Sequence, residues 1–251
     1  MQLQHKSALV TGAASGFGRA IAQRFVREGA AVLIADLDAE GAEATADSLR
    51  AQGAKAVAVR CDVSNSKDYA AAVLRAVSEF GALDIVVNNA GTTHANKPAL
   101  QVSEGEFDRV MRVNLKSLYW SAQHAIPVLR ERGGVMINVA STTGVRPGPG
   151  LSWYSASKAA MINITRGLAL EFAREGIRVN AINPMIGETA LLEQFMGMPD
   201  TAENRQRFLS RIPLGRFTRP DDVAGAATFL ASDDASFLTG TCIDVDGGRN
   251  L

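Results

Sequence analysis

The stretch Thr11-Gly12-Ala13-Ala14-Ser15-Gly16-Phe17-Gly18 follows a short β-rich run at 7–11 and precedes a helical pattern. Glycines in such a turn let the backbone approach a pyrophosphate closely, and the start of the helix offers unpaired N–H donors to the anion. The spacing is G-x-x-x-G-x-G, which differs from the G-x-G-x-x-G of the common dinucleotide fingerprint. Such a turn could be only a tight connection, but its position between the first strand and the first helix favours a dinucleotide site.

Outward from this turn, short β-rich runs alternate with longer amphipathic ones. The predicted strands are 7–11, 31–36, 56–60, 85–88, 135–139, 178–182 and 241–245, and the predicted helices are 17–28, 39–52, 67–80, 104–130, 153–174 and 221–231. Most strand runs are continuously apolar, which is typical of strands buried on both faces of a parallel sheet. The pattern predicts an α/β fold, a single domain over 1–251 with a doubly wound parallel sheet of Rossmann type, about seven strands and helices on both faces. Ser103 and Glu106 form a predicted capping box at the start of the fourth helix.

The composition excludes several classes of function. The chain has 26 basic and 26 acidic residues, so its formal net charge is zero, and no basic stripe suggests nucleic acid or a lipid surface. No apolar run approaches the ~20 residues that span a bilayer, and the polar start carries no secretory signal. Cys61 and Cys242 are interpreted as buried free thiols, which fits the reducing cytoplasm. His5, His94 and His124 show no ligand spacing, so no metal site is predicted.

Acidic residues close the second and third predicted strands. Asp36 sits where a carboxylate accepts hydrogen bonds from the adenosine ribose of a dinucleotide, although a loop or helix-capping acid is the structural alternative. Asp62 could meet an adenine edge or cap the next helix. A carboxylate at Asp36 would repel the 2′-phosphate of NADP, and neither Ser15 nor Leu37 supplies a compensating cation. The sequence therefore predicts NAD as the cofactor.

Further polar groups follow the fourth and fifth strands. Asn89-Ala90-Gly91 ends the fourth strand and Ser141 follows the fifth, at the carboxyl edge of the sheet where ligands bind. Asn114 interrupts an otherwise periodic helix, so its side chain either has a role or bends the helix. Tyr154 and Lys158 are spaced to share one helix face, and an ammonium beside a phenol favours the phenolate. The pair could transfer protons near neutral pH, although a solvated helix face is the alternative.

Taken together, these motifs resemble the short-chain dehydrogenase/reductase family over essentially the whole chain. The matching motifs are Thr11-Gly12-x-x-x-Gly16-x-Gly18, Asn88-Asn89-Ala90-Gly91, Asn114, Ser141, Tyr154-x-x-x-Lys158, Arg178-Val179-Asn180 and Asp246-Gly247-Gly248. The resemblance implies that Tyr154 is the general acid/base, that Lys158 lowers its pKa and holds the nicotinamide ribose, and that Ser141 bonds the substrate oxygen. It also implies that Asn114 positions a water that relays protons to Lys158, and that Thr189 contacts the nicotinamide carboxamide.

The resemblance extends to the cofactor contacts and to assembly. The expected cofactor-binding residues are Gly12, Ser15, Gly16, Phe17, Gly18, Asp36, Leu37, Asp62, Val63, Asn89, Ala90, Gly91, Tyr154, Lys158, Pro184, Gly187 and Thr189. One departure is Pro184-Met185, where the family usually has Pro-Gly, so the path of the following loop is open. Apolar residues occur around more than one face of 104–130 and 153–174, and with the family likeness they predict a homotetramer.

A long segment at 185–213, called the lid below, has few strong structural signals, which is typical of functional loops. It carries Met185, Ile186, Leu191, Leu192, Phe195, Met196 and Met198. Methionines suit an adaptable apolar wall, so an aromatic or otherwise apolar small-molecule substrate is predicted over a sugar, although these residues could merely pack the lid onto the body. The candidate substrate contacts are His94, Thr143, Leu151, Trp153, Met185 and Ile186, with His94 expected at the surface.

Only a closer likeness within the family narrows the range of candidate substrates. The chain resembles dehydrogenases acting on 4-formylbenzenesulfonate or related benzylic alcohols in segments 92–98, 141–150 and 183–189. This likeness implies that His94, Lys97 or Arg146 binds an acidic substituent of the substrate. Within the family, 3-oxoacyl and sugar substrates are alternatives. A non-catalytic cofactor-binding scaffold is a third reading. Ser155-x-x-Lys158 also matches the S-x-x-K of penicillin-recognising enzymes, but the S-D-N and K-T-G partners are missing.

Overall fold

The computed structural model describes residues 1–189 and 192–251, and in it one wholly parallel sheet runs through the molecule. Its strands are Ser7–Thr11 (β1), Ala31–Asp36 (β2), Ala56–Arg60 (β3), Ile85–Asn88 (β4), Gly134–Val139 (β5), Ile177–Pro184 (β6) and Cys242–Val245 (β7). They lie in the order β3-β2-β1-β4-β5-β6-β7, which confirms the predicted doubly wound sheet. The order reverses between β1 and β4, and ligands of such sheets bind in the crevice at that point.

Helices cover both faces of the sheet. They are Gly16–Arg27 (α1), Ala39–Arg50 (α2), Ser66–Phe80 (α3), Glu104–Met111 (α4), Ser117–Leu129 (α5), Ser152–Phe172 (α6), Leu192–Met196 (α7), Ala202–Leu209 (α8) and Pro220–Ala231 (α9). Successive strand residues point to opposite faces, so Val10 and Ile34 join α1, α2 and α9 in one core. Leu9 and Leu33 join α3, α5 and α6 in the other. This two-sided burial explains why the strands are continuously apolar.

The predicted single helix over 104–130 is wrong in one respect. A π-helical turn at Arg112–Lys116 separates α4 from α5, and Asn114 lies within it. Its side chain bonds to the main chain of Thr92, so the helix widens by one residue to bring the amide to the loop after β4. The capping box is confirmed, because Ser103 Oγ accepts from the Glu106 N–H at 3.3 Å and Glu106 Oε2 accepts from the Ser103 N–H at 2.9 Å.

The lid contains α7 and α8, neither of which was predicted. Leu192 and Met196 pack with Ile212 and Phe217 in a small separate core, because the lid has apolar residues on the side that faces the body. Leu191, which was also assigned to this apolar wall, lies outside the described residues. In the parts of the chain that the structure describes, no helix is long and apolar enough to cross a membrane.

Candidate active site

The turn between β1 and α1 brings backbone atoms as close together as glycine allows. A Cβ on Gly18 would lie 2.1 Å from the carbonyl oxygen of Gly12, and one on Gly12 would lie 2.8 Å from Cα of Ala90. Gly12 also has a φ of 65°, which side chains rarely tolerate. The Ser15 side chain at the N-cap makes no capping hydrogen bond to α1. The first N–H groups of the helix therefore remain suited to a pyrophosphate, as the sequence predicts.

The carboxylate of Asp36 is held in a defined orientation at the end of β2. Its Oδ2 accepts from the Ala14 N–H at 2.9 Å and its Oδ1 accepts from the Asp38 N–H at 3.0 Å. Each oxygen keeps a lone pair for a further donor, such as a ribose hydroxyl. Asp62 does not cap α3, because its Oδ1 accepts from the N–H and hydroxyl of Ser64 at 2.9 and 2.7 Å while Asn65 is the cap.

One cavity of about 890 Å³ opens at the carboxyl edge of the sheet and brings most of the expected residues together. The expected residues that line it are Gly12, Ser15, Gly16, Phe17, Asp36, Leu37, Asp62, Val63, Asn89, Ala90, Gly91, Ser141, Thr143, Leu151, Tyr154, Lys158, Pro184, Met185, Ile186, Gly187 and Thr189. Gly18 and Asn114 lie behind this surface. The glycine cradle, the oriented acid and the shape of the cavity together fit a dinucleotide cofactor.

Tyr154 is the central titratable group of this cavity. It is 6% exposed, and burial raises the pKa of its phenol to about 12, against which hydrogen bonding to the Ser141 side chain lowers it. The phenolate is therefore disfavoured in this environment unless a positive charge stands beside it. The predicted lowering of this pKa by Lys158 stays a prediction, since burial and Ser141 account for the shift.

Lys158 lies beneath the tyrosine. Its Nζ donates to the carbonyl oxygen of Val139 at 2.7 Å and lies 5.9 Å from the centre of the Tyr154 ring. Burial lowers the pKa of this ammonium to about 8. The lysine can therefore exchange a proton near neutral pH, which is the property required of a member of a proton-transfer chain.

Asn114 connects the π-helical turn to this centre. Its Nδ2 donates to the Thr92 carbonyl at 2.9 Å and to Ser157 Oγ at 3.0 Å, and its Oδ1 accepts from the Thr92 N–H at 2.8 Å. A Cβ on Gly91 would lie 3.4 Å from that Oδ1 and 3.5 Å from Lys158 Nζ, so the two side chains flank one glycine. The side-chain amide is engaged by protein atoms, and the implied water relay stays a prediction.

The structure separates some expected substrate contacts from the cavity. His94 is fully buried, and its Nδ1 bonds to the Ala95 carbonyl at 2.8 Å, so its expected surface position is wrong. Trp153 packs edge-on against Phe107 at 5.4 Å and donates to the Ala99 carbonyl. Among the described residues neither belongs to the cavity lining. Lys97 is held by both carboxylate oxygens of Glu106 at 2.8 Å, which leaves Arg146 as the cavity-lining member of the three expected anion contacts.

Several residues of the cavity lining were missed by reasoning from the sequence, and Phe195 and Asn96 are two that connect the lid to the site. Phe195, recognised there only as one of many apolar lid residues, reaches the cavity and contacts the Tyr154 ring. Asn96 also lines the cavity, and its Nδ2 donates to the Phe195 carbonyl at 3.0 Å while its N–H donates to the Gln194 carbonyl at 3.1 Å. No local signal distinguishes either residue, since both roles arise between segments about a hundred positions apart. No group of three or more metal-ligating side chains occurs within 1–189 and 192–251.

A dinucleotide cradle beside a buried tyrosine and lysine is the arrangement of an oxidoreductase that moves a hydride and a proton. Comparison with known proteins agrees with this class. A family model described as enoyl-(acyl carrier protein) reductase matches residues 12–250. The 4-formylbenzenesulfonate dehydrogenase of Comamonas testosteroni is 69% identical over 252 residues, which cover 100% of both chains. The cis-4-hydroxycyclohexanecarboxylate dehydrogenase of Sinomonas cyclohexanicum is 42% identical, covering 96% of this chain and 95% of its own.

Among solved structures, the 3-ketoacyl-(acyl-carrier-protein) reductase of Brucella melitensis complexed with NADH superposes with a TM-score of 0.92 at 45% identity, covering 99% of this chain and 100% of its own. The chain belongs to the short-chain dehydrogenase/reductase family, as the sequence motifs predict. It is therefore an oxidoreductase.

Proposed function

We propose that this chain is an NAD-dependent dehydrogenase that interconverts a ring-bearing alcohol and its carbonyl compound, with Tyr154 as the general acid/base. The observation that carries the proposal is that Tyr154, Ser141 and Lys158 line the same cavity as the glycine cradle and Asp36. A scaffold without activity would have no need of this group of buried, titratable side chains, which are costly to desolvate.

The side chains of this site divide the reaction between them. NAD, when bound, supplies the hydride acceptor. Ser141 holds the substrate hydroxyl oxygen, and Tyr154 as phenolate accepts the hydroxyl proton while the C–H bond breaks and the C=O bond forms. Lys158 as an ammonium stabilises that phenolate, which offsets the effect of burial on the pKa of the phenol. In the reverse direction Tyr154 returns the proton to the carbonyl oxygen.

NAD rather than NADP is supported by Asp36. Its carboxylate is fixed by two backbone N–H groups, and the neighbouring Leu37 is 59% exposed and uncharged. A 2′-phosphate would therefore meet a negative charge with no cation from the adjacent residue to neutralise it. The solved relative with NADH is consistent with this choice.

A ring substrate is supported by the wall of the cavity and by the relatives. Leu151, Met185, Ile186, Phe195 and Phe208 give the lining its apolar side. Both named dehydrogenase substrates, 4-formylbenzenesulfonate and cis-4-hydroxycyclohexanecarboxylate, are six-membered rings. The test is NADH formation with a panel of benzylic alcohols, cyclic alcohols and free sugars. Benzylic and cyclic alcohols should give the highest kcat/KM, and a clear preference for a sugar would contradict the proposal.

Reduction of a 3-oxoacyl thioester is the second candidate, because the solved relative at 45% identity is a 3-ketoacyl-(acyl-carrier-protein) reductase. The same panel therefore includes acetoacetyl-CoA with NADH. Faster turnover of the thioester than of every ring alcohol or aldehyde would select this function over the first.

We also propose a cytoplasmic homotetramer. The groove between α4, α5 and α6 is lined by Leu115, Tyr119, Ile164, Leu168 and Phe172, and Leu170, elsewhere on α6, is 85% exposed. Apolar surface of this kind is typical of subunit contacts. Cys61 and Cys242 are free thiols, which suits a reducing compartment. Light scattering at micromolar concentration would give the assembly's mass, and a monomeric mass would contradict the tetramer.

A further inference from the structure

Arginines gather at one end of the active-site cavity. Arg146 follows β5, Arg211 lies in the lid after β6, and Arg249 follows β7, and all three line the cavity. In the sheet order, β5, β6 and β7 lie on one side of the β1/β4 crevice, whereas β2 and β3, which lead to Asp36 and Asp62, lie on the other. The arginines therefore surround the end of the cavity that is remote from the adenosine half.

Two of these cations, Arg211 and Arg249, have no carboxylate partner among the described residues. Asp36 and Asp62 are the only acids among the described residues that line the cavity, and both are at the other end. Within the described parts of the chain, no ion pair joins Arg146, Arg211 or Arg249 to an acid. Two neighbouring arginines do have carboxylate partners, since Arg205 pairs with Asp200 and Arg216 pairs with Asp222, each at 2.5 Å.

The segments that carry the arginines are held by specific contacts. The Asp246 carboxylate accepts from the N–H groups of Gly248 and Asn250 at 2.9 and 2.8 Å, which shapes the turn that bears Arg249. The Leu214 N–H donates to the Gly247 carbonyl at 3.1 Å, which fastens the end of the lid, after Arg211, to the same turn. Arg146 donates to the main-chain oxygens of Asn250 and Leu251 at 3.5 and 3.3 Å. Arg146 thus holds the segment, while Arg211 and Arg249 remain available.

We infer that Arg211 and Arg249 form a subsite for a negatively charged substituent of the substrate, a sulfonate or carboxylate remote from the reacting carbon. The inference rests on the proposed function and adds to it the residues that select the substrate. Two like charges fastened at one rim repel each other, and an oxyanion between them removes that repulsion. Arginine suits this task because its planar guanidinium donates two parallel hydrogen bonds to such a group.

The test compares two substrates that differ in charge and little in shape, at saturating NAD. They are 4-(hydroxymethyl)benzenesulfonate and the neutral 4-(methylsulfonyl)benzyl alcohol. The wild type should have the higher kcat/KM for the sulfonate, and Arg211→Gln and Arg249→Gln should each lower the sulfonate-to-sulfone ratio by about ten- to a hundredfold. Arg211→Lys should retain part of the preference. Added salt should reduce the wild-type ratio, because the subsite opens to solvent.

Arg207→Gln is the matched control, since Arg207 lies on α8, shortly before Arg211, but pairs with Glu203 and is absent from the described cavity lining. It should leave the ratio unchanged. Thermal unfolding and turnover of the neutral sulfone report whether each variant is folded.

The outcomes separate the inference from the proposed function. If the enzyme oxidises the neutral alcohol but the sulfonate-to-sulfone ratio is the same in Arg211→Gln, Arg249→Gln and the wild type, the inference is overturned and the proposed function stands. Oxidation of neither alcohol by the wild type would overturn both. Loss of acetoacetyl-CoA turnover in the variants, with an unchanged sulfonate ratio, would assign the arginines to thioester phosphates instead.

Discussion

The ring of Phe195, on the lid helix α7, lies edge-on against the ring of Tyr154, with the centroids 5.1 Å apart and the planes inclined by 66°. Tyr154 belongs to α6, so the contact joins the lid directly to the proposed proton-transfer group. The lid thereby contributes to the burial that raises the pKa of the phenol to about 12. Removing this contact is therefore expected to change the acidity of Tyr154.

Replacing Phe195 with Ala should lower the pKa of Tyr154 from about 12 toward the reference value of about 10, because water would reach the phenol. The measurement is the phenolate absorbance near 295 nm as a function of pH, in Phe195→Ala and in the double variant Phe195→Ala with Tyr154→Phe. The difference between the two titration curves is the titration of Tyr154. An unchanged midpoint for Tyr154 would mean that Phe195 does not shield it.

Tyr154→Phe should reduce kcat by about 10²- to 10⁴-fold, because it removes the oxygen that carries the proton and little else. NAD affinity, measured by calorimetry, should change little, since the glycine cradle and Asp36 are untouched. Tyr119→Phe is the matched control and should retain full turnover, because Tyr119 lies outside the described cavity lining. Full activity in Tyr154→Phe would assign the acid/base to another group.

Lys158 should make folding stability depend on pH in a known direction. Its pKa is lowered from 10.5 to about 8 in the folded protein, so below pH 8 it is charged in both states and the fold bears the cost of burying the charge. Between pH 8 and 10.5 the unfolded chain binds a proton that the folded chain does not, and stability contributed by this group rises with pH by at most about 3 kcal/mol.

The measurement is the free energy of unfolding in urea, for the wild type and Lys158→Met, at pH 7.5 and at pH 10. The contribution of Lys158 is the change between the two pH values in the wild type minus the same change in the variant, which is called the double difference below. The wild type should gain stability relative to the variant on going to pH 10. The raised pKa of Tyr154 acts in the opposite direction above pH 10 but is common to both proteins. Lys67→Met, at an exposed position, is the control and should give a double difference near zero.

Asp36→Ala combined with Leu37→Arg should narrow or invert the preference for NAD over NADP, which we expect to be roughly ten- to a thousandfold in the wild type. The change removes a fixed negative charge and adds a cation for the 2′-phosphate. The measurement is kcat/KM for both cofactors with one alcohol. Asp38→Asn, which can retain the cap of α2 but removes a nearby charge, should leave the ratio close to that of the wild type. Equal use of both cofactors by the wild type would show that Asp36 does not contact the ribose.

Asn96→Ala should loosen the lid. The variant loses the 3.0 Å hydrogen bond from Asn96 Nδ2 to the Phe195 carbonyl, so backbone N–H groups at 192–196 should exchange with deuterium about two- to tenfold faster. Asn204→Ala removes a 2.9 Å bond to the Pro199 carbonyl within the lid itself and is the comparison variant. If both variants alter exchange at 192–196 equally, Asn96 has no special role in holding α7.

Much of the fold and of the candidate site can be predicted from local sequence patterns. The alternation of apolar runs predicts the seven strands, and the glycine spacing predicts the cradle, because Gly12 and Gly18 occupy positions where a Cβ would collide with backbone. The interruption at Asn114 also predicts a side chain that either has a role or bends the helix, although not the π-helical turn that the structure shows. The helices of the lid were missed, since they are short and since Leu192 and Met196 of α7 are buried by packing with Ile212 and Phe217, which lie further along the chain.

The sequence by itself determined the order of the strands and helices, the dinucleotide turn, the acid at Asp36 and the pairing of Tyr154 with Lys158, because each depends on residues close together along the chain. Only the tertiary structure decided which lid residue touches Tyr154, that Glu106 neutralises Lys97, that His94 is buried, and that Arg211 and Arg249 line the same cavity. It also decided that burial, which raises the pKa of Tyr154, has a larger effect than the hydrogen bond with Ser141, which lowers it. The physical reason is that desolvation and ion pairing depend on everything that surrounds a group, and those surroundings come from segments far apart in the sequence.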